Sequence, residues 1–90
     1  MLLQSFKRDY RRLKRRPDFD TETLEYVLEQ LVIGSLPAGF REHALVKKAR
    51  NYAGFTECHL DADLLMIYRE LPGEVRLHRL GTHVDLFGVE

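Results

Sequence analysis

The spacing of the apolar residues changes after Gly34, and this change constrains the fold more than any other feature of the chain. Up to Gly34 apolar residues recur every three or four positions, which is the period of an amphipathic helix. After residue 54 they fall in short runs bounded by turn residues, which is typical of strands. Helices followed by strands predict an α+β fold, with two N-terminal helices packed on a small twisted antiparallel β-sheet.

Two helices are predicted before residue 35. The first spans residues 5–16, ends at Pro17, and has an apolar face formed by Phe6, Tyr10 and Leu13. In the second, Asp20 is expected to cap the N-terminus and Gly34 to supply the C-terminal stop. Its predicted buried stripe consists of Leu24, Val27, Leu28, Leu31 and Val32.

Three strands are predicted in the second half of the chain, in the runs "GFTECHL", "DLLMIYREL" and "EVRLHRLG". The short connections "DAD" and "LPGE" between them favour an antiparallel meander. Residues 41–54 are ambiguous and are interpreted as a partly helical loop. We expect residues 1–90 to form a single domain.

The size and charge of the chain limit its possible functions. A domain of 90 residues is too small to enclose a deep cofactor cavity, so an active site is expected to be an open groove. The longest apolar run, "LLMIY", is too short to cross a membrane, and one cysteine fits a reducing, cytoplasmic setting. The net charge is zero, yet "KRDYRRLKRR" holds seven of the fourteen basic residues. This block is either a solvated helix face or a surface for RNA or an acidic protein.

Three histidines come from three different segments of the chain: His43, His59 and His83. A sheet this small brings strand ends within roughly 10–15 Å of one another, so the three can meet. Cleavage of a phosphodiester needs a base, an acid and fixed positive charge, and these histidines with Asp63 and Arg79 can supply all three. Two alternatives stay open: the histidines are structural, as we expect for His78, or they bind zinc. No CxxC, HxH or HExxH spacing supports a zinc site.

Three motifs in order resemble a known family. "FREHAL", "ECHLDADLLMIYR" and "RLGTHVDLFG" are similar to the DHxL, (D/E)xHxxPDxxLIY and RxGTHxxLF motifs of the YafQ branch of the RelE/ParE superfamily of bacterial toxins. The resemblance covers nearly the whole chain. It implies a RelE-like fold and an mRNA interferase, which cuts messenger RNA in the ribosomal A site without a metal or other cofactor and uses the RNA's own 2′-hydroxyl as nucleophile.

The resemblance also implies the roles of individual residues. His59 would act as base, with Asp63 orienting it or sharing the proton, and His83 would act as acid. Arg79 would stabilise the developing phosphorane charge, and His43 would hold the phosphate or assist either proton transfer. Phe87 would stack on a base of the RNA, and further RNA contacts are expected from Lys47, Lys48, Arg50 and Glu57. Because the resemblance assigns the C-terminal motif to the site, removal of the last eight residues is expected to abolish cleavage at little cost to the fold.

Partners follow from the same resemblance. We expect a cytoplasmic protein that is monomeric alone, forms a hetero-oligomer with a cognate antitoxin, acts on mRNA at the 70S ribosome and does not bind membranes. The alternative hypothesis is a binding module without activity that holds an antitoxin or RNA through its basic helix. Gyrase poisoning, as in the ParE branch, is a third possibility, but those relatives lack the histidine set.

Overall fold

The computed structural model describes residues 1–34, 36–45 and 54–88, and in these ranges it has the predicted α+β architecture. The elements in chain order are helix α1 (Gln4–Leu13), helix α2 (Thr21–Ile33), a 3₁₀ turn (Ala38–Phe40), strands β1 (His43–Ala44), β2 (Thr56–His59), β3 (Leu65–Leu71) and β4 (Glu74–Gly81), and helix α3 (His83–Phe87). The two long helices and three main strands are confirmed, but α1 ends at Leu13 rather than at Pro17. The interpretation of residues 41–54 as a partly helical loop is wrong at strand β1, and residues 46–53 lie outside the described residues. Helix α3 was not predicted. No helix in the described ranges is long and apolar enough to span a bilayer.

The sheet is an antiparallel meander in the order β1-β2-β3-β4, as predicted. Its register places His43 opposite Glu57, Glu57 opposite Ile67, and Ile67 opposite Arg79. A β-bulge follows, since Tyr68 pairs with Leu77 and leaves His78 as the extra residue of β4. One row of the sheet therefore carries three of the expected site residues.

The main core lies between the two long helices and one face of the sheet. Helix α2 begins where the Asp20 side chain accepts a hydrogen bond from the Thr23 backbone N–H (3.1 Å), and it ends at Gly34, whose φ of 122° suits glycine. Val32 was predicted to be buried, but it is 85% exposed. Successive helical residues are rotated by about 100°, which turns Val32 away from the core that Leu31 faces. The core consists of Phe6, Leu13, Leu24, Val27, Leu31, Cys58, Leu60, Met66, Tyr68, Leu77 and Leu80.

The opposite face of the sheet is partly covered by α3. Leu86 of this helix packs on Leu65 and Ile67, both of which are fully buried. A fully buried side chain of this size contributes roughly 1.5–3 kcal/mol. The expectation that the last eight residues matter little to the fold is therefore wrong, because their removal would expose two residues of the sheet.

A buried carboxylate on α1 holds the outer edge of β4 near Leu80, beyond the point where Leu2 pairs with Leu77. Asp9, only 6% exposed, accepts hydrogen bonds from Arg79 Nε (2.7 Å), Arg79 Nη2 (3.2 Å) and the Leu80 backbone N–H (2.9 Å). Arg12 contacts both Asp9 and Asp85, each at 3.4 Å. Part of the basic block thus ties α1 to β4 and α3 rather than lying free in solvent.

Gly81 is required by the close approach of α3 to the sheet. A Cβ atom at this position would lie 2.9 Å from Asp85 Cβ and 3.4 Å from Leu86 Cδ2. We expect Gly81→Ala to lower the free energy of unfolding by roughly 1–3 kcal/mol, since α3 must shift. Gly39→Ala is the matched control, because nothing lies within 4 Å of a Cβ built there. Urea unfolding measures both, and equal effects of the two substitutions would contradict this packing.

Candidate active site

Strand β1 directs His43 to the face of the sheet opposite the main core. The preceding Glu42 points to the other face, where its carboxylate accepts a hydrogen bond from the buried Tyr68 hydroxyl. The His43 side chain is half exposed, and its Nε2 lies 3.3 Å from Glu57 Oε2 on the neighbouring strand. Its other nitrogen, Nδ1, lies 2.9 Å from the backbone carbonyl of Arg41. His43 is therefore held at both ring nitrogens.

Strand β2 contributes Glu57 and His59, which share one face because residues two apart in a strand point the same way. Their side chains are 6% and 12% exposed, and His59 Nε2 lies 3.8 Å from Glu57 Oε1. Among the described residues, Glu57 Oε1 is buried without a hydrogen-bond donor. Glu57 was predicted to contact RNA, and it lies buried between the two histidines.

The pKa of His59 lies below its ordinary value of 6.5. Burial is the main cause because it disfavours the imidazolium, and the positive charge of Arg41 acts in the same direction. The carboxylate of Glu57 opposes both effects without cancelling them. His59 is therefore neutral at pH 7.

His83 stands at the start of α3, whose N-cap is Thr82. Thr82 and Asp85 form a capping box, which fixes the first turn of this short helix and hence the position of His83. His83 Nδ1 lies 3.6 Å from Asp63 Oδ1 in the β2–β3 connection. Asp63 was expected to orient His59, but the structure places it against His83, because the turn after β2 carries it toward α3.

The three histidines meet as predicted from the size of the sheet. The His59 ring lies 5.9 Å from that of His43 and 6.1 Å from that of His83, and Phe87 lies 6.3 Å beyond His83. The His83 side chain is 38% exposed, whereas the Glu57 side chain is buried. The three histidines and Glu57 thus lie side by side on one face of the sheet, with Asp63 at the His83 end.

The remaining expected site residues are placed differently. Arg79 shares the sheet row of Glu57, and its guanidinium is bound to Asp9 of α1. A guanidinium paired with a buried carboxylate is positioned firmly but contributes less net charge. Lys47, Lys48 and Arg50 lie outside the described residues.

Sequence analysis missed Arg41. Its Nη2 lies 3.0 Å from His59 Nδ1. Among the described residues other than glycine, Arg41 has a positive φ, of 48°. This left-handed conformation costs roughly 1–2 kcal/mol for a residue with a side chain and occurs preferentially at functional sites. The signal was present in "FREHAL", where a cation stands two residues before His43.

One group of residues has the donor types and spacing to hold a metal ion. The potential ligand atoms of His43, Glu57 and His59 all lie within 4.8 Å of one another. Two imidazoles and one carboxylate suit a divalent transition metal. A tetrahedral ion holds its ligand atoms about 3.3 Å apart, so binding requires small side-chain movements that bring the more distant pairs together.

The fold and the site define a class of protein: a small α+β domain with an acid–base cluster of histidines and carboxylates on the open face of its sheet. The model of the YafQ family, bacterial toxins of type II toxin-antitoxin systems, matches residues 2–88. The chain belongs to this family, as the sequence motifs indicated.

Similar proteins include toxins from Escherichia coli and Helicobacter pylori. The mRNA interferase toxin YafQ of Escherichia coli (strain B / BL21-DE3) is 29% identical over 85 residues, which cover 92% of this chain and 88% of that toxin. YafQ in the E. coli DinJ-YafQ complex superimposes with a TM-score of 0.83 at 28% identity, over 97% of this chain and 94% of that one. A metal-bound toxin from Helicobacter pylori superimposes with a TM-score of 0.82 at 31% identity, over 96% of this chain and 94% of that one.

Proposed function

We propose that this toxin is an mRNA interferase, a ribosome-dependent endoribonuclease that cuts messenger RNA in the A site. The observation that carries the proposal is the line of three histidines with two carboxylates, His43, Glu57, His59, His83 and Asp63, on an open face of the sheet. The E. coli relative is named an mRNA interferase, and it matches this chain over most of its length. Family and geometry thus support the same chemistry.

The proposed reaction uses the 2′-hydroxyl of the RNA as nucleophile. Its proton passes to the carboxylate of Glu57, whose Oε1 has no hydrogen-bond donor among the described residues and lies beside the neutral His59 ring. The 2′-oxygen then attacks phosphorus, and the bond to the 5′-oxygen breaks. His83 gives a proton to that leaving oxygen, while Asp63 stabilises and orients the imidazolium. The products are a 2′,3′-cyclic phosphate and a 5′-hydroxyl.

Binding of the RNA is assigned to the residues around this centre. Arg79 stabilises the charge that develops on the phosphoryl oxygens, and the exposed His43 contacts the phosphate. Phe87, next to His83, offers a ring on which a base can stack. Lys47, Lys48 and Arg50 remain predicted RNA contacts, and the basic residues of α1 that face solvent supply general attraction for ribosomal RNA.

An antitoxin is the proposed protein partner. The E. coli relative was solved in a DinJ-YafQ complex, so we infer that this toxin also forms a hetero-oligomer with a cognate antitoxin. A toxin that acts on translated messages works in the cytoplasm. Its activity would be released when the antitoxin is degraded.

A metal ion at the same cluster is compatible with the H. pylori relative, which was solved with bound metal. His43, Glu57 and His59 would hold it. The reaction proposed above needs none, since the chain's own side chains move both protons. A bound ion would withdraw the histidine nitrogens from proton transfer.

Cleavage on programmed ribosomes tests the proposed function. Purified 70S ribosomes translating a defined message are incubated with the toxin, and the ends of the fragments are mapped by primer extension. We expect cuts within the A-site codon, and no cuts when the toxin is first mixed with the protein encoded by the adjacent gene. Tight binding to that protein with an intact message would instead support the alternative, a module that binds without cleaving.

Folding stability is expected to fall in mild acid. Burial lowers the pKa of both His59 and His78 below 6.5, so the unfolded chain binds protons more readily than the folded protein. The stabilising contribution is therefore complete above the unfolded pKa and is lost as the pH falls through the lowered folded values. Urea midpoints at several pH values between 5 and 8 measure this. The double substitution His59→Gln/His78→Gln should make the urea midpoint less dependent on pH. An unchanged pH dependence would show that these two histidines are not its cause.

A further inference from the structure

Arg41 contacts both histidines of the β1–β2 pair through two different groups. Its side-chain Nη2 lies 3.0 Å from His59 Nδ1, and its backbone carbonyl lies 2.9 Å from His43 Nδ1. A guanidinium can only donate hydrogen bonds, and a carbonyl can only accept them. The two contacts therefore dictate where the protons of the two rings reside.

The consequence for His59 is a single tautomer. Because Arg41 donates to Nδ1, that nitrogen carries the lone pair and the proton resides on Nε2. Nε2 is the nitrogen that faces the buried Glu57 Oε1, at 3.8 Å.

The consequence for His43 is the reverse. Because the Arg41 carbonyl accepts from Nδ1, this nitrogen carries a proton, and Nε2 faces Glu57 Oε2 at 3.3 Å. The buried carboxylate thus has a ring nitrogen on each side: His43 Nε2 lies within hydrogen-bond distance of Oε2, and His59 Nε2 lies beyond that distance from Oε1.

We infer that Arg41 is a positioning residue that holds His43 and His59 with their Nδ1 atoms in opposite hydrogen-bonding roles, so that both rings present Nε2 to Glu57. The left-handed backbone of Arg41 supports this assignment, since a residue other than glycine keeps that conformation only where its surroundings require it. The lowered pKa of His59 is consistent with it, because Arg41 is the second contributor after burial. The effect of Arg41 on catalysis rests on the proposed function, whereas its effect on the rings does not.

Nitrogen NMR of the free toxin tests the inference without RNA. In protein labelled with ¹⁵N-histidine, long-range ¹H–¹⁵N spectra distinguish Nδ1–H from Nε2–H rings. We expect His59 to be the Nε2–H tautomer in the wild type, and Arg41→Met to convert it to a mixture. His43 should keep its proton on Nδ1 in the same variant, because its partner is the backbone carbonyl, which the substitution retains.

Two further variants serve as controls. Arg41→Gly permits the left-handed backbone and removes the side chain, so it should change His59 in the same way as Arg41→Met. Arg76→Met removes an arginine that pairs with Glu74 in the β3–β4 hairpin and should leave both rings unchanged. An Nδ1–H tautomer of His59 in the wild type, or identical His59 spectra with and without the Arg41 side chain, would overturn the inference.

Kinetics separate positioning from simple attraction of the phosphate. For Arg41→Met we expect kcat to fall by between about tenfold and 100-fold with little change in KM, as for other residues that orient a histidine. Arg41→Lys, which also donates without accepting, should restore part of kcat. A rise in KM alone would show that Arg41 only binds RNA and would overturn the positioning role. If the wild type cuts no RNA, the proposed function fails while the NMR result still stands.

Discussion

Replacement of His83 by alanine is expected to lower the rate of mRNA cleavage by about 10²–10⁴-fold, which is the typical contribution of a general acid or base. His83 is the histidine paired with Asp63 and stands beside Phe87 at the open end of the site. Without it, the leaving 5′-oxygen has no proton donor. Single-turnover cleavage on programmed ribosomes measures the loss.

The matched control for this substitution is His78→Ala. His78 lies at the β-bulge of β4 with its ring against Phe55 and has no assigned role in the reaction. We expect the cleavage rate of His78→Ala to stay within about threefold of wild type when both proteins are folded, since a change away from the reacting groups leaves the barrier nearly unaltered. Equal losses for the two variants would remove His83 from the mechanism.

Glu57→Gln is expected to produce the second large effect, again a loss of about 10²-fold or more in cleavage rate. The substitution keeps the shape of the side chain but removes the negative charge that receives the proton between His43 and His59. Because Glu57 Oε1 lacks a donor among the described residues, little hydrogen bonding is lost. We therefore expect the free energy of unfolding to change by no more than about 1 kcal/mol.

The control for Glu57 is Glu70→Gln, which alters an exposed carboxylate on β3. It should leave both the cleavage rate and the urea midpoint unchanged. If Glu57→Gln cleaves as fast as the wild type, the proton acceptor must be sought elsewhere. If it loses activity only because it unfolds, the urea curve will reveal this directly.

Much of the fold was predictable from local sequence signals. Helix α2 is capped at Asp20 and Gly34, and β2, β3 and β4 form a meander. Both features are determined by residues that interact with near neighbours in the sequence. Strand β1 has only two residues, and α3 has five, so neither shows a full period of apolar spacing. Strand β1 is defined by its pairing with β2, whereas α3 has a local signal that the prediction did not use, the capping box of Thr82 and Asp85.

The sequence predicted which histidines form the site, but not which carboxylate contacts each of them. A small sheet had to bring His43, His59 and His83 together, and it does. Which carboxylate serves which histidine depends on the turn after β2 and on the start of α3, and here Asp63 was assigned to the wrong ring. The burial of Glu57 and the contact of Arg41 arise from the register of β1 against β2, which sequence analysis did not include.

The central claim is that the cluster cleaves RNA by activating the RNA's own 2′-hydroxyl. The most direct test is cleavage, on the ribosome, of a message with a single 2′-deoxy substitution at the nucleotide 5′ to the cut, beside the all-ribose message. The account predicts that the substituted message is not cut there, whereas the all-ribose message yields a 2′,3′-cyclic phosphate. Cutting of the 2′-deoxy message at the same position and rate would contradict it.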